Sequence, residues 1–319
     1  MNILVTGGAG FLGRRLASTL LERGSLDGRD GPRPIERLVL LDRVEAPFED
    51  ERVRCVSGDV ADPDLLDSLV DGNTEVIFHL AAVVSGQAEA EFDLGMRVNL
   101  DASRALLETC RRRGHTPRVI FTSSVAVYGG ELPAVVQDHT ALNPRSSYGA
   151  EKAMAELLLA EYTRRGFVDG RALRLPTVSV RPGRPNQAAS SFASGIIREP
   201  LAGEDAPCPV DPDTRLWLMS PRVAVESLVH GAELDGEAIG ENRSLNLTGL
   251  SVTVEDMLAA LARVAGENVV KRVRFEPDES VRRIVGGWPA AWDTTRARAL
   301  GFPEHTTFED VIREHIRDG

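Results

Sequence analysis

Cysteine is scarce in this chain of 319 residues: Cys55, Cys110 and Cys208 are the only three. They stand far apart, with no CxxC pair and no Cys/His cluster at metal-ligand spacing. That excludes a disulfide-stapled scaffold and a cysteine-built metal site, and it predicts a reducing, cytoplasmic setting. Basic charge is also short. Against 48 Asp and Glu there are 37 Lys and Arg, a formal net charge of −11, and no clustered basic stripe, so a nucleic-acid partner is not expected. Long apolar runs are missing too. The longest, residues 76–84, is interrupted by His79 and falls well short of the roughly 20 residues that cross a bilayer. The first residues enter a strand-like run without the basic start and apolar stretch of a signal peptide. No internal repeat is visible, and a soluble protein is expected.

What is present is ordinary globular material: 42% hydrophobic and 27% charged residues, 29 Gly and 18 Pro, in a chain long enough for one large domain or two fused ones. Apolar runs of strand length at 2–6, 37–41, 53–57, 76–80, 119–122 and 172–176 alternate with amphipathic stretches at 11–23, 63–70, 92–113 and 148–165. This is the rhythm of repeated βαβ units, an α/β fold with a doubly wound, mostly parallel sheet. Residues 24–34 read as a loop. From about Arg181 the rhythm changes. Pro and Gly gather at 181–186 and 201–212, and helical character returns at 251–266 and 308–317. The expected division is a dinucleotide-binding domain over 1–180 and a smaller C-terminal, mainly substrate-binding lobe over 181–319, whose chain can cross back to the sheet. Thr253 and Asp256 are spaced like a helix start.

The first chemical signal is Thr6-Gly-Gly-Ala-Gly-Phe-Leu-Gly13, set between a strand and a helix. Gly7, Gly10 and Gly13 permit a tight turn and close backbone approach to a pyrophosphate. The helix start at Phe11 and Leu12 offers free N–H groups to an anion. Asp42 ends the second strand, where a carboxylate accepts from both adenosine ribose hydroxyls and repels a 2′-phosphate, favouring NAD over NADP. Its neighbour Arg43 leaves a 2′-phosphate open. The second signal is Tyr148-Gly-Ala-Glu-Lys152. Tyrosine and lysine four apart share a helix face, so an ammonium lies beside a phenol and favours its ionised form. Such a phenolate can take a proton from an alcohol. Thr122-Ser-Ser124 at a strand end supplies hydroxyls to hold the reacting oxygen.

The GxxGxxG spacing, Gly58-Asp-Val60, His79-Leu-Ala-Ala82 and Tyr148-x-x-x-Lys152 together resemble the extended short-chain dehydrogenase/reductases, the NAD-dependent epimerase/dehydratase family, over nearly the whole chain. The resemblance implies a Rossmann fold and a set of roles. Asp59 and Val60 lie by the adenine, and Ala81 and Ala82 line the cofactor channel. Asn99 sits near the lysine, where a polar helix-interface residue is the alternative. Ser124 fills the catalytic slot, with Ser123 nearer the cofactor. Pro176 and Thr177 meet the nicotinamide amide. It also implies a homodimer built on two long helices, whose apolar Leu106, Leu107 and Leu158 either contribute to a two-fold interface or face their own sheet.

Strings at 181–191, 196–201, 214–221, 250–254 and 284–289 are similar to one subfamily acting on a four-carbon sugar acid, which implies oxidation of its C2 hydroxyl to a 2-oxo acid. A small anionic substrate needs a local cation, and arginine meets a carboxylate with two parallel hydrogen bonds. Arg184 and Arg215 are the candidates, a surface or interdomain ion pair being the alternative for each. Ser85 and Asn186 are candidates for substrate hydroxyls. The competing functions are a nucleotide-sugar epimerase or dehydratase with the same triad, and a dinucleotide-sensing module without catalysis.

Overall fold

The first strand carries the logic of the whole domain. Ile3 and Val5 belong to one hydrophobic core and Leu4 to another, as alternation demands of a strand covered on both faces. The structure, a computed structural model, describes residues 1–28, 31–183, 188–289 and 291–318. Its main sheet holds seven strands: β1 (Asn2–Thr6), β2 (Arg37–Asp42), β3 (Val53–Ser57), β4 (Thr74–His79), β5 (Arg118–Ser124), β6 (Asp169–Leu175) and β7 (Ser244–Asn246). Their order is β7-β6-β5-β4-β1-β2-β3, and every pairing is parallel. The order reverses at β1, between β4 and β2, so a crevice opens beyond the carboxyl ends of those strands.

Helices α1 (Phe11–Arg23), α2 (Pro63–Leu69), α3 (Ala102–Arg113) and α4 (Ser147–Arg164) connect the first six strands. Local chemistry sets their ends. Helix α1 buries Leu16, Ala17 and Leu20 and stops at Gly24, whose φ of 66° lets its N–H reach Leu20 O. Helix α2 starts at Asp62, whose carboxylate accepts from the N–H groups of Asp64 and Leu65. Beyond β6 come α5 (Phe192–Leu201) and α6 (Pro221–Glu233); α6 packs Val223 and Leu228 on the α1 face, and the chain then crosses back to add β7. The lobe has its own core, in which Val180, Ile196 and Leu218 meet Met257 of α7 (Val254–Ala265), Val285 of α8 (Glu279–Val285) and Ile312 of α9 (Phe308–Asp318). Thr253 and Asp256 form a reciprocal capping box at the start of α7. Among the described residues, no helix is long and apolar enough to cross a membrane.

Three expectations change. The segment 24–34 is not plain loop, since Ser25–Gly28 and Gly31–Pro34 pair antiparallel; the turn-rich composition hid a hairpin. The helix expected over 92–113 is interrupted by a wide π-turn at Met96–Asp101, in which Asn99 points inward. Helix α7 begins at Val254 because Leu250–Thr253 first pairs as a strand with Arg215–Leu218. For Leu106 and Leu107 the second of the two alternatives holds, since both are buried in their own chain's core.

Candidate active site

Backbone contact explains the glycine turn. Gly7 has φ 75° and both it and Gly8 donate to Leu41 O, at 2.8 and 3.1 Å. A Cβ at Gly7 would lie 2.8 Å from Ala81 N, and one at Gly13 only 2.1 Å from Gly7 O. Helix α1 is thus pressed onto the turn that precedes it. Gly10 caps the helix without a side chain, so Gly10, Phe11, Leu12 and Gly13 face the cleft, and the cradle fits the pyrophosphate of a dinucleotide. Asp42 is fixed beside it by Ala9 N–H at 3.0 Å and Arg43 N–H at 2.7 Å. Arg43 itself is exposed. Asp59 accepts from Arg97 at 2.6 Å and from Ala61 N–H at 2.9 Å, and Arg97 holds its carboxyl below the usual range. Val60 beside it is buried.

The cleft, about 330 Å³, runs from that turn to the ends of β5 and β6. Ser123, Ser124, Tyr148, Lys152, Pro176 and Thr177 all line it, as do Ser85 and Ala82. Ala81 instead turns to the core and donates from its N–H to Thr6 Oγ1 at 3.3 Å. The Ser123 hydroxyl is buried and without a protein partner, a polar atom facing a polar ligand's place. Burial pushes the Tyr148 phenol up to about 12, opposed by Ser124 and the nearby charge of Arg181. Burial pulls Lys152 down to about 8, opposed by Glu151 and Glu156. Its Nζ lies 4.6 Å from the Phe121 ring centre and 5.7 Å from that of Tyr148.

Two buried anchors hold the helix that carries this pair. Glu156 ion-pairs with Arg174 of β6 at 2.7 Å. Glu151 accepts from Asn99 Nδ2 at 2.6 Å, and Asn99 also bonds the Val83 backbone in both directions. Asn99 therefore sits behind α4, outside the cleft wall. The chain of bonds continues. Ser103 Oγ donates to Asn99 O, which leaves it to accept from His79 Nε2, and Thr6 Oγ1 then donates to His79 Nδ1 at 2.7 Å. Burial keeps His79 neutral, its pKa pulled down to about 3. A continuous polar chain thus ties the glycine turn to α4.

The acid-binding candidates fare differently. Arg184 and Asn186 lie outside the described residues. Arg215 is exposed, donates to Ser251 O at 3.3 Å and does not line the cleft. The guanidinium that does line it is Arg181, which follows the short strand Thr177–Val178. It is half-buried, and desolvation together with the nearby charge of Arg198 lowers its pKa. Among the described residues it has no carboxylate partner; its polar contact is Ser190 Oγ at 3.4 Å. In the sequence Arg181 lies within a Pro/Gly run that does not mark it for this role. Its place directly after an apolar strand was the available signal.

Residues 3–216 match the NAD dependent epimerase/dehydratase family. The chain belongs to that family. Over its full length it is 64% identical to D-erythronate dehydrogenase of Cupriavidus necator, covering 98% of that protein. It is 48% identical to D-erythronate dehydrogenase of Haemophilus influenzae over 99% of each chain. Among solved structures, one described as a nucleoside-diphosphate-sugar epimerase from Agrobacterium tumefaciens superposes with a TM-score of 0.94 at 45% identity, over 100% of this chain and 94% of that one. NAD is the cofactor of the family, and the glycine cradle, Asp42 and the unpartnered Ser123 hydroxyl fit it.

Proposed function

We propose that the chain oxidises the C2 hydroxyl of D-erythronate to 2-oxo-tetronate as an NAD-dependent dehydrogenase. The observation that carries the reading is Arg181, a desolvated guanidinium in the same cleft as Tyr148, Ser124 and Lys152. Such a cation calls for an anion one or two bonds from the reacting hydroxyl, as the carboxylate of a 2-hydroxy acid is. The relatives named as D-erythronate dehydrogenases support it. In this reading Arg181, on the lobe side, holds the carboxylate, with Arg184, Asn186 and Ser85 as further substrate contacts. Ser124 Oγ positions the C2 oxygen, and Tyr148 Oη takes its proton. Lys152, whose ammonium lies beside the phenol ring, offsets the cost of burying a phenolate. NAD, when bound, supplies the ring that takes up the hydride leaving C2.

A second reading, a nucleotide-sugar epimerase, is favoured by the description of the Agrobacterium structure. Incubation with NAD and either aldonic acids or nucleotide sugars separates the two. The dehydrogenase reading expects NADH from D-erythronate and none from nucleotide sugars; the reverse, binding of nucleotide sugars with no NADH from any aldonic acid, overturns it.

We also infer a cytoplasmic homodimer. Met154 and Leu157 stand three apart on α4 and are exposed, Leu157 by 66%, with half-buried Leu158 beside them; a second copy would cover this stripe. Leu157→Glu should convert a sedimenting dimer to monomer, and a dimer that survives it uses another face.

A further inference from the structure

Beside the catalytic cleft lies a second cavity of about 540 Å³, larger than the cleft itself. Ser85, Ala126 and Trp288 line both, so the two adjoin. Two arginines line the chamber. Arg145 packs its guanidinium over Gly130, where a Cβ would come within 2.9 Å of Nη2, so the glycine makes room for that group. Arg283 stands on the exposed side of α8. Its neighbour Arg282 pairs with Asp211, whereas neither Arg145 nor Arg283 has an ion-pair partner among the described residues. One carboxylate, Glu89, shares the chamber, and it already accepts from Ser147 N–H at 2.9 Å. Two guanidinium groups against one carboxylate leave the chamber net positive in a chain of net charge −11.

A four-carbon acid with one carboxylate does not use this feature. Its carboxylate is attached to the carbon being oxidised and belongs with Arg181 in the Tyr148 cleft. We propose that the chamber is an anion subsite for the far end of the substrate, accepting a second negative group, a carboxylate or a phosphate, on a sugar acid. The proposal rests on the sugar-acid reading above and extends its substrate class to doubly charged acids.

Calorimetric titration of NADH-saturated protein tests it without turnover, using D-erythronate, its 4-phosphate and a six-carbon aldaric acid. The wild type should bind at least one doubly charged acid about tenfold or more tighter than D-erythronate, as charge-assisted hydrogen bonds to arginine allow. A gain with the phosphate alone assigns a phosphate site; a gain with the aldaric acid alone assigns a carboxylate site. The R145Q/R283Q double variant should lose the gain while keeping the D-erythronate affinity, and Arg283→Gln alone, on an exposed helix face, should lose part of it. Doubly charged acids that bind no tighter than D-erythronate, or a gain that survives the double variant, overturn the subsite. Oxidation of D-erythronate is scored separately, so the subsite can fail while the dehydrogenase reading stands, and the reverse.

Discussion

Under the proposed function, the half of the site assigned to the cofactor and the half assigned to the acid are built on different plans. In the first, each group is placed by its immediate chain neighbours: a strand end, a glycine turn, a helix start, and a tyrosine and lysine one helical turn apart. The buried chain Thr6–His79–Ser103–Asn99–Glu151 then locks these local pieces together. In the second, Arg181, Ser190 and Trp288 meet only because the lobe folds over the strand ends. The comparison teaches that chemistry common to a family can be written in short motifs, whereas substrate choice is written in tertiary contacts.

The sharpest way to break the comparison is to remove the base. Tyr148→Phe should lower turnover by about 10³-fold, within the range for a general acid–base group, while NAD affinity stays near that of the wild type. Steady-state rates and cofactor fluorescence titration check both halves of that statement. Next in size is Arg181→Ala, expected to raise the KM for D-erythronate by about ten- to hundredfold, since a charge-assisted bond is worth about 1.5–3 kcal/mol. NAD affinity should not follow. A parallel loss of both would mean that Arg181 supports the fold rather than the acid.

These two variants also mark what could be read in advance. Tyr148, Lys152, Ser124 and the glycines were legible because their spacing is their geometry, and the sheet was legible because two-sided burial writes near-continuous apolar strands. Arg181 was not. The arginines singled out in the sequence were Arg184 and Arg215, and Arg215 lies off the cleft on a strand paired with Thr177–Val178, whereas Arg181, just beyond that short strand, lines it. The π-turn at Met96–Asp101 was hidden for a similar reason, because the partners of Asn99 are Val83 and Glu151, 16 and 52 residues away. The hairpin at Ser25–Pro34 was masked by residues typical of turns.

Smaller effects sharpen the cofactor side. Asp42→Ala removes the acceptor fixed by Ala9 and should weaken NAD by about tenfold while easing entry of NADP, read as the ratio of the two KM values. An unchanged ratio would move that discrimination to another residue. His79 gives the smallest signal and reads the buried chain directly. Its folded pKa is about 3 against an ordinary value of 6.5, so the unfolded state gains a proton first as pH falls. Stability from this group is therefore full above about 6.5 and is lost progressively towards about 3, at up to about 1.4 kcal/mol per pH unit. Urea midpoints between pH 7 and 5 should fall less steeply in His79→Gln than in the wild type; equal slopes would mean that His79 is not held neutral.

The central claim, that hydrogen leaves the acid for good, is tested most directly with D-erythronate deuterated at C2. The account predicts one deuterium in the released reduced cofactor for each 2-oxo acid formed, at a rate that rises with pH because the phenol of Tyr148 must shed its proton to act again. Deuterium returned to the sugar carbon, with no reduced cofactor released, would contradict it.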